Sequence, residues 1–416
     1  MASPTVAGLT GGAALLVLDE AAAARTWNAI LARQGLADSS RLTSACQVAD
    51  AALGLHAARL PSPYAIVAAR TSDPAIPASL FTAPVRSSLL TLRCMRKTLH
   101  TLPLHLAVAA HCATVRFRDR DVRRAVANAG YTMAAIDRLT DQLCVLLHDG
   151  PLPHRVIEAH LANRGHDVRA VRLAVKVAWE RGLIAYINTA SSWNREARTF
   201  ALTRTAYPAL DLSLPRGRAV TELVSAYFDR YGPATIGDVT WWSGLSATDI
   251  TTALLATGRP VTAVATPWSE DPCLMFADQA EQNPGGDAVT TGVQFLAHED
   301  TALKAYHQTR SRYLAGLPPR RAFNQIGEAL PTVIIDGTVA GTWSWNTRTA
   351  TISTDLIPGR TTPAIRRQVK ARAAALTETL RSAWAPRLPS PRPLQGQVPP
   401  CPAIPANSAA RGIAGC

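Results

Sequence analysis

The sequence predicts an α+β fold, with tandem helix–helix–hairpin modules followed by a small β-barrel-like C-terminal domain. Three observations carry this reading. One unit recurs: two helices joined by a tight turn, then a pair of β-branched runs. Its clearest copy is Tyr231-Gly-Pro-Ala-Thr-Ile-Gly-Asp-Val-Thr-Trp-Trp-Ser-Gly-Leu-Ser246, the helical stretch Ala247–Ala256, and the apolar runs Val261–Thr266 and Cys273–Phe276. A helix–turn–helix followed by a hairpin is a winged helix, whose second helix commonly lies in the major groove of DNA. The second observation is a β-rich stretch, Gly292–Phe295, Pro331–Asp336, Thr338–Trp345 and Arg348–Leu356, with Asp336-Gly337 as a tight hairpin signal. The third is size and composition. A chain of 416 residues, 47% hydrophobic and only 18% charged, is too long for one core and too apolar for disorder.

The elements follow in order. Residues 1–18 are a lead-in. The apolar run Ala13–Leu18 lacks a basic flank and is followed by Asp19-Glu20, so it is not read as a signal peptide. Leu15–Leu18 is expected as a short strand, and Asp19 as the cap of a helix from Glu20 to Arg33. Module 1 covers residues 19–125, with a helix near Thr43–Leu53, the segment Gly54–Arg70, and a helix start beside Pro103. Module 2 covers 126–208. It has helices at Asp121–Ala129 (straddling the boundary), Ala134–Leu147 and Leu152–Asn163. Asp167 then caps Val168–Arg181, Gly182 stops that helix, and the runs Leu183–Asn188 and Arg198–Thr203 form the wing. Module 3 covers 209–280. The β-rich domain covers 281–384 and ends in an amphipathic helix, Pro363–Trp384. Residues 385–416 carry eight prolines without periodicity and are expected to be a disordered tail.

Charge points to the partner. The net charge is +13, and the stretch Arg86–Arg124 holds nine Arg or Lys against two Asp. Such concentration suits a polyanion, double-stranded DNA first, because each neutralised phosphate releases counterions. The seven cysteines form no CxxC pair and no zinc-like spacing, so neither a metal nor a disulfide framework is expected, and the natural compartment is a reducing cytoplasm. No apolar run approaches membrane-spanning length. Nothing resembles a dimerisation heptad, so a monomer is expected.

Four stretches together resemble the winged-helix DNA glycosylases of the AlkZ and YcaQ type: Ala32-Arg-Gln-Gly-Leu36; Met95-Arg-Lys-Thr-Leu-His-Thr-Leu-Pro103; Tyr231-Gly-Pro-Ala-Thr235 with Trp241-Trp-Ser-Gly-Leu245; and Leu330-Pro-Thr-Val-Ile-Ile-Asp-Gly-Thr-Val-Ala-Gly-Thr-Trp343. The resemblance implies three winged helices in a C shape with DNA in the hollow, no cofactor, and monofunctional excision of bulky or crosslinked alkylpurines in DNA repair or self-resistance. It also implies a catalytic Gln-x-Gln or Gln-x-Asp motif after the second helix. This chain has His56-Ala57-Ala58 there, so both polar positions have changed.

A neutral His56 can hold a water, or take its proton near neutral pH. The alternative is that His56 is a core or DNA-contacting residue in a non-catalytic protein that shields lesions or regulates transcription. Arg59, Arg93, Arg96, Lys97 and His100 are candidate DNA contacts near the lesion, Arg169, Arg172 and Lys176 on the second recognition-type helix, and Arg195 and Arg198 on its wing. A Schiff-base role for Lys97 has little support. Trp241 and Trp242 are read as core, and Glu299 and Asp300 as structural carboxylates, an alternative carboxylate site being the other option.

Overall fold

Local rules set the element ends. Asp19 accepts a hydrogen bond from the Ala22 amide at 2.7 Å and starts the helix Glu20–Arg33. Asp167 does the same for Val168–Glu180, through the Arg169 amide at 2.8 Å. The computed structural model describes residues 6–12, 14–282 and 291–385, so the expected tail lies outside the described residues from 386 onward. Helices take 52% and strands 19%, and nearly every strand pairing is antiparallel, which makes the class α+β.

The helix–helix–hairpin order occurs three times. The first copy has helices Glu20–Arg33, Ala45–Ala51 and Pro61–Arg70, then the hairpin Leu89–Arg93/Leu99–Pro103. The second has Met133–Leu146, His154–Asn163 and Val168–Glu180 before Ile184–Asn188/Arg198–Leu202. The third has Arg216–Tyr231, Ile236–Ser243 and Ala247–Ala256 before Val261–Thr266/Ser269–Phe276. The first two hairpins meet through Thr91 and Tyr186 and share one six-stranded sheet.

Two expectations change. Asp121–Ala129 is not a separate helix. One 25-residue helix runs Leu104–Asn128, because no Pro or Gly interrupts it and its buried face continues through Arg118, Val122 and Val126. The strand Leu16–Val17 lies within the expected Leu15–Leu18 and pairs in parallel with Val264 and Ala265 of the third hairpin. The C-terminal strands Val293–Leu296, Thr332–Ile335, Thr338–Asn346 and Thr351–Leu356 pair in sequence order, with no ladder joining first to last among the described residues. Of the expected barrel or curled sheet, the described residues form an open sheet and no closed barrel, covered on one side by the helix Pro363–Ser382.

Buried polar contacts lock these parts together, and the described residues up to Ala385 form one compact unit. Asp336-Gly337 is the predicted hairpin turn, with both residues at positive φ. The Gly337 carbonyl accepts the Trp27 indole N–H at 2.8 Å, and a Cβ there would meet that ring at 2.7 Å, so only glycine fits. Arg70 and Asp300, both with fully buried side chains, form a bidentate pair at 2.6 and 2.9 Å. The Tyr231 hydroxyl donates to Ala52 O at 3.0 Å, and the Tyr306 hydroxyl to Tyr231 O at 2.9 Å. These ties seat residues 298–306 against the first module, and they create the site.

Candidate active site

His56 sits on the short strand Leu55–His56, just past the helix Ala45–Ala51. The chain turns through Leu53 and Gly54, both at positive φ; a Cβ on Gly54 would lie 2.8 Å from Leu102. His56 then pairs with His100 on the hairpin, their rings perpendicular and 5.5 Å apart. The His100 Nδ1 lies 3.2 Å from the Thr98 carbonyl, which can only accept, so that nitrogen carries the proton. Burial holds both imidazoles down at about 3, helped for His56 by His298 and Lys304 and for His100 by His56. At neutral pH both rings are uncharged.

The opposite wall comes from the turn after the strand Val293–Leu296. The His298 ring lies 6.3 Å from His56, with Nδ1 2.9 Å from Ala329 O. Glu299 is buried at a left-handed φ of 57°. Its Oε1 accepts from the Ala329 amide at 2.6 Å and from Lys304 Nζ at 2.8 Å, while its Oε2 lies 4.0 Å from His56 Nε2. Between them is a cavity of about 20 Å³, bounded also by Arg96, His100 and Trp242, which is room for a single water. A larger apolar pocket of about 120 Å³ touches Ala57, Leu99 and Thr101. Alternation along a strand puts those side chains on the other face from His56 and His100, so that pocket does not serve this site.

The structure brings some predicted residues together and disperses others. Arg96, at φ 50°, lines the cavity and stacks on the Trp241 ring at 4.0 Å. Exposed Arg59 pairs with Glu328 at 3.0 Å. Lys97 pairs with Asp121 at 2.9 Å. Arg93 is bound to Glu180, which also holds buried Arg118 at 2.8 Å, so two cations counted as basic surface in fact close an internal cluster. Arg172 pairs with Glu158 at 2.6 Å and Arg198 with Glu196 at 3.1 Å. Arg169 and Arg195 are exposed and Lys176 is half-buried.

Sequence reasoning missed His298, Lys304, His307 and Arg310, and it placed Trp241 in the core. Trp242 is indeed buried, but Trp241 is only half-buried. Besides Arg96, the Trp241 ring has the His307 ring at 4.5 Å, Lys304 at 5.2 Å and Arg310 at 5.4 Å. Its indole N–H and Arg310 Nη2 are buried donors with no protein partner among the described residues. A usable signal was the density of His, Lys and Arg in 298–310, a stretch with no helical or strand periodicity. Asp300, by contrast, is structural as expected: it pairs with Arg70 and caps the turn Thr301–Lys304. Among the described residues no group of three His, Cys, Asp or Glu lies close enough to hold a metal ion.

A water-sized, cation-rimmed cleft thus lies where the first hairpin, the third helix–hairpin unit and residues 298–304 meet. The family model described as DNA glycosylase AlkZ-like matches residues 49–379, and the chain belongs to that family. Among solved structures, Streptomyces sahachiroi DNA glycosylase AlkZ is similar in fold, with a TM-score of 0.69 at 20% identity, over 88% of this chain and 98% of that one. No curated protein sequence matches. No helix of the described residues is long and apolar enough to cross a membrane.

Proposed function

We propose that this protein is a monofunctional, monomeric DNA N-glycosylase that excises bulky or crosslinked alkylated purines from double-stranded DNA, working in the cytoplasm beside the nucleoid and without a cofactor. Its three helix–hairpin units act as winged helices gripping the duplex. The observation that carries the reading is a neutral, buried imidazole facing a buried carboxylate across a water-sized gap, with Arg96 at its edge and Arg310 beside Trp241, neither ion-paired to a carboxylate among the described residues. Hydrolysis of an N-glycosidic bond passes through an oxocarbenium-like state that needs a placed water; an alkylated, cationic base departs without strong acid help.

Burial removes one role considered for His56. With its pKa held down at about 3, its ring is neutral and only weakly basic, and it holds the water by a hydrogen bond. Arg96 and Arg310 beside Trp241 meet the phosphates flanking the lesion, with His100 behind His56 as its packing partner rather than a DNA contact. Exposed Arg169 and Arg195 and half-buried Lys176 extend the contact along the duplex, and exposed Arg59, paired with Glu328, adds less to it. Arg93, Arg172 and Arg198, already engaged by Glu180, Glu158 and Glu196, contribute less. The test is incubation with duplexes carrying 7-methylguanine or a bulkier alkylpurine, then alkali to cleave abasic sites. Strand breaks above background are the expected result; intact binding with no breaks selects the non-catalytic alternative.

A further inference from the structure

We infer that Glu299 is the catalytic carboxylate of this site, taking the proton of the attacking water; the inference rests on the glycosylase reading above. The local strand–turn at His56-Ala57-Ala58 supplies no charged acid or base. His56 is held neutral, and Ala58 is exposed with no polar side-chain atom. Glu299 arrives at the same cavity from a segment more than two hundred residues later, and three features of its placement exceed what a structural ion pair requires.

The first is the division of its oxygens. Oε1 alone takes both the Ala329 amide and Lys304 Nζ, at 2.6 and 2.8 Å. Oε2 is left pointing toward His56 Nε2 at 4.0 Å, beyond hydrogen-bond range. A water about 2.8 Å from each of these atoms spans that gap at an angle of roughly 90°, close to a water's own bonding geometry. The second is the cavity, sized for one water and walled by His56, Arg96, His100, Trp242, Lys304 and Glu299 itself. The third is backbone strain. Glu299 holds a left-handed φ of 57°, which costs a non-glycine residue on the order of 1 kcal/mol or more. Glycine or asparagine would fill such a turn more easily, so the side chain earns its place.

The step balances as follows. The water oxygen bonds to C1′ of the deoxyribose as the C1′–N bond breaks. The electron pair of that bond leaves with the cationic base and neutralises it. One water proton passes to Glu299 Oε2, and the other remains on the new C1′ hydroxyl of the abasic sugar. Glu299 returns its proton to solvent after the base departs. His56 makes the water's second hydrogen bond, and Lys304 fixes the carboxylate's other oxygen.

The deciding experiment compares wild type, Glu299→Gln and Glu299→Ala on an alkylpurine duplex under single-turnover conditions, with duplex affinity and melting temperature measured alongside. The expected result is a rate loss of roughly 10²–10⁴-fold in E299Q, with duplex affinity held within about twofold, and partial rescue of E299A by formate. Excision by wild type that survives E299Q within about threefold overturns the carboxylate assignment and leaves the glycosylase reading standing. No excision by wild type on any adduct overturns that reading and this inference with it. Should both variants fail to fold, the wild-type pH–rate profile decides. An acid limb falling tenfold per pH unit supports a carboxylate base among its neighbours His56, His100, His298, Arg59, Arg96, Lys304 and Glu328, and a flat profile overturns it.

Discussion

Replacing Asp300 with alanine tests what holds the site together. Its carboxylate accepts from Arg70 Nη2 at 2.6 Å and Nη1 at 2.9 Å, and from the Ala302 amide at 3.0 Å. Both side chains of the pair are fully buried. Without Asp300 the guanidinium keeps one hydrogen bond, to Ile66 O at 3.2 Å, and its Nε already lacks a partner. Stranding a buried charge this way costs about 3–5 kcal/mol, and the lost helix cap about 1 more. One oxygen serves both contacts, so the two losses overlap and a total near 5 kcal/mol is expected. At ~2 °C per kcal/mol for a chain of this size, the melting temperature read by tryptophan fluorescence drops by roughly 10 °C. The double variant Arg70→Met with Asp300→Leu removes the stranded charge and should recover most of that loss. A single variant within about 1 kcal/mol of wild type, or a double variant as unstable as the single, would refute the argument that this pair clamps the Glu299 segment onto the first module.

Other consequences are equally direct. His56, His100 and His111 are each held at about 3 by burial, below their ordinary 6.5, so the unfolded chain binds protons that the folded one refuses. Their contribution is complete above 6.5 and is lost as pH falls toward 3; about 1.4 kcal/mol per group disappears between pH 7.5 and 5.5, measurable by urea unfolding, and His111→Gln should remove about a third of that slope. Duplex binding followed against salt should lose about one unit of log–log slope in Arg96→Ala and in Arg310→Ala, but nothing in Arg93→Ala, whose guanidinium is bound to Glu180. His56→Gln should keep excision within about tenfold of wild type, whereas His56→Ala loses on the order of 10²-fold in a single-turnover assay. Borohydride should trap no covalent complex with an abasic duplex, because the Lys304 ammonium is held by Glu299 and by Gly327 O at 2.7 Å and Lys97 is held by Asp121.

Features governed by neighbouring residues were readable along the chain. The Asp19 and Asp167 caps, the helix start after Pro103 and the Asp336-Gly337 turn follow from backbone chemistry within a few positions, and each stands where the pattern put it. Helix phase could have corrected Trp241 as well. On Ile236–Ser243 the buried positions are Asp238, Val239, Trp242 and Ser243, a face that Trp241 misses. What no local rule contains is the pairing of Leu16 with Val264, or of His56 with Glu299. Those juxtapositions follow from side chains far apart in sequence, Arg70 with Asp300 and Tyr231 with Ala52 O, whose complementarity shows only once the modules are packed. Charge counting erred for the same reason: Arg93 and Arg118 share one buried carboxylate and are not free surface cations.

The altered motif then has a physical account. An amide and a buried neutral imidazole each offer a water both a donor and an acceptor group without net charge. His56 can therefore stand where the family motif has glutamine, provided burial keeps it unprotonated, and the pKa near 3 meets that condition. The second motif position is different, because alanine offers nothing and no neighbour in the turn compensates. Stabilising a developing oxocarbenium ion depends on where negative charge sits in a dry pocket and not on which segment delivers it. Neutral histidines on two walls leave the carboxylate of Glu299 as the negative group facing the gap, with Lys304 engaging its far oxygen. The proposed catalysis asks a buried carboxylate to reach the same water from elsewhere, and Glu299 Oε2, 4.0 Å from His56 Nε2, is placed to do so.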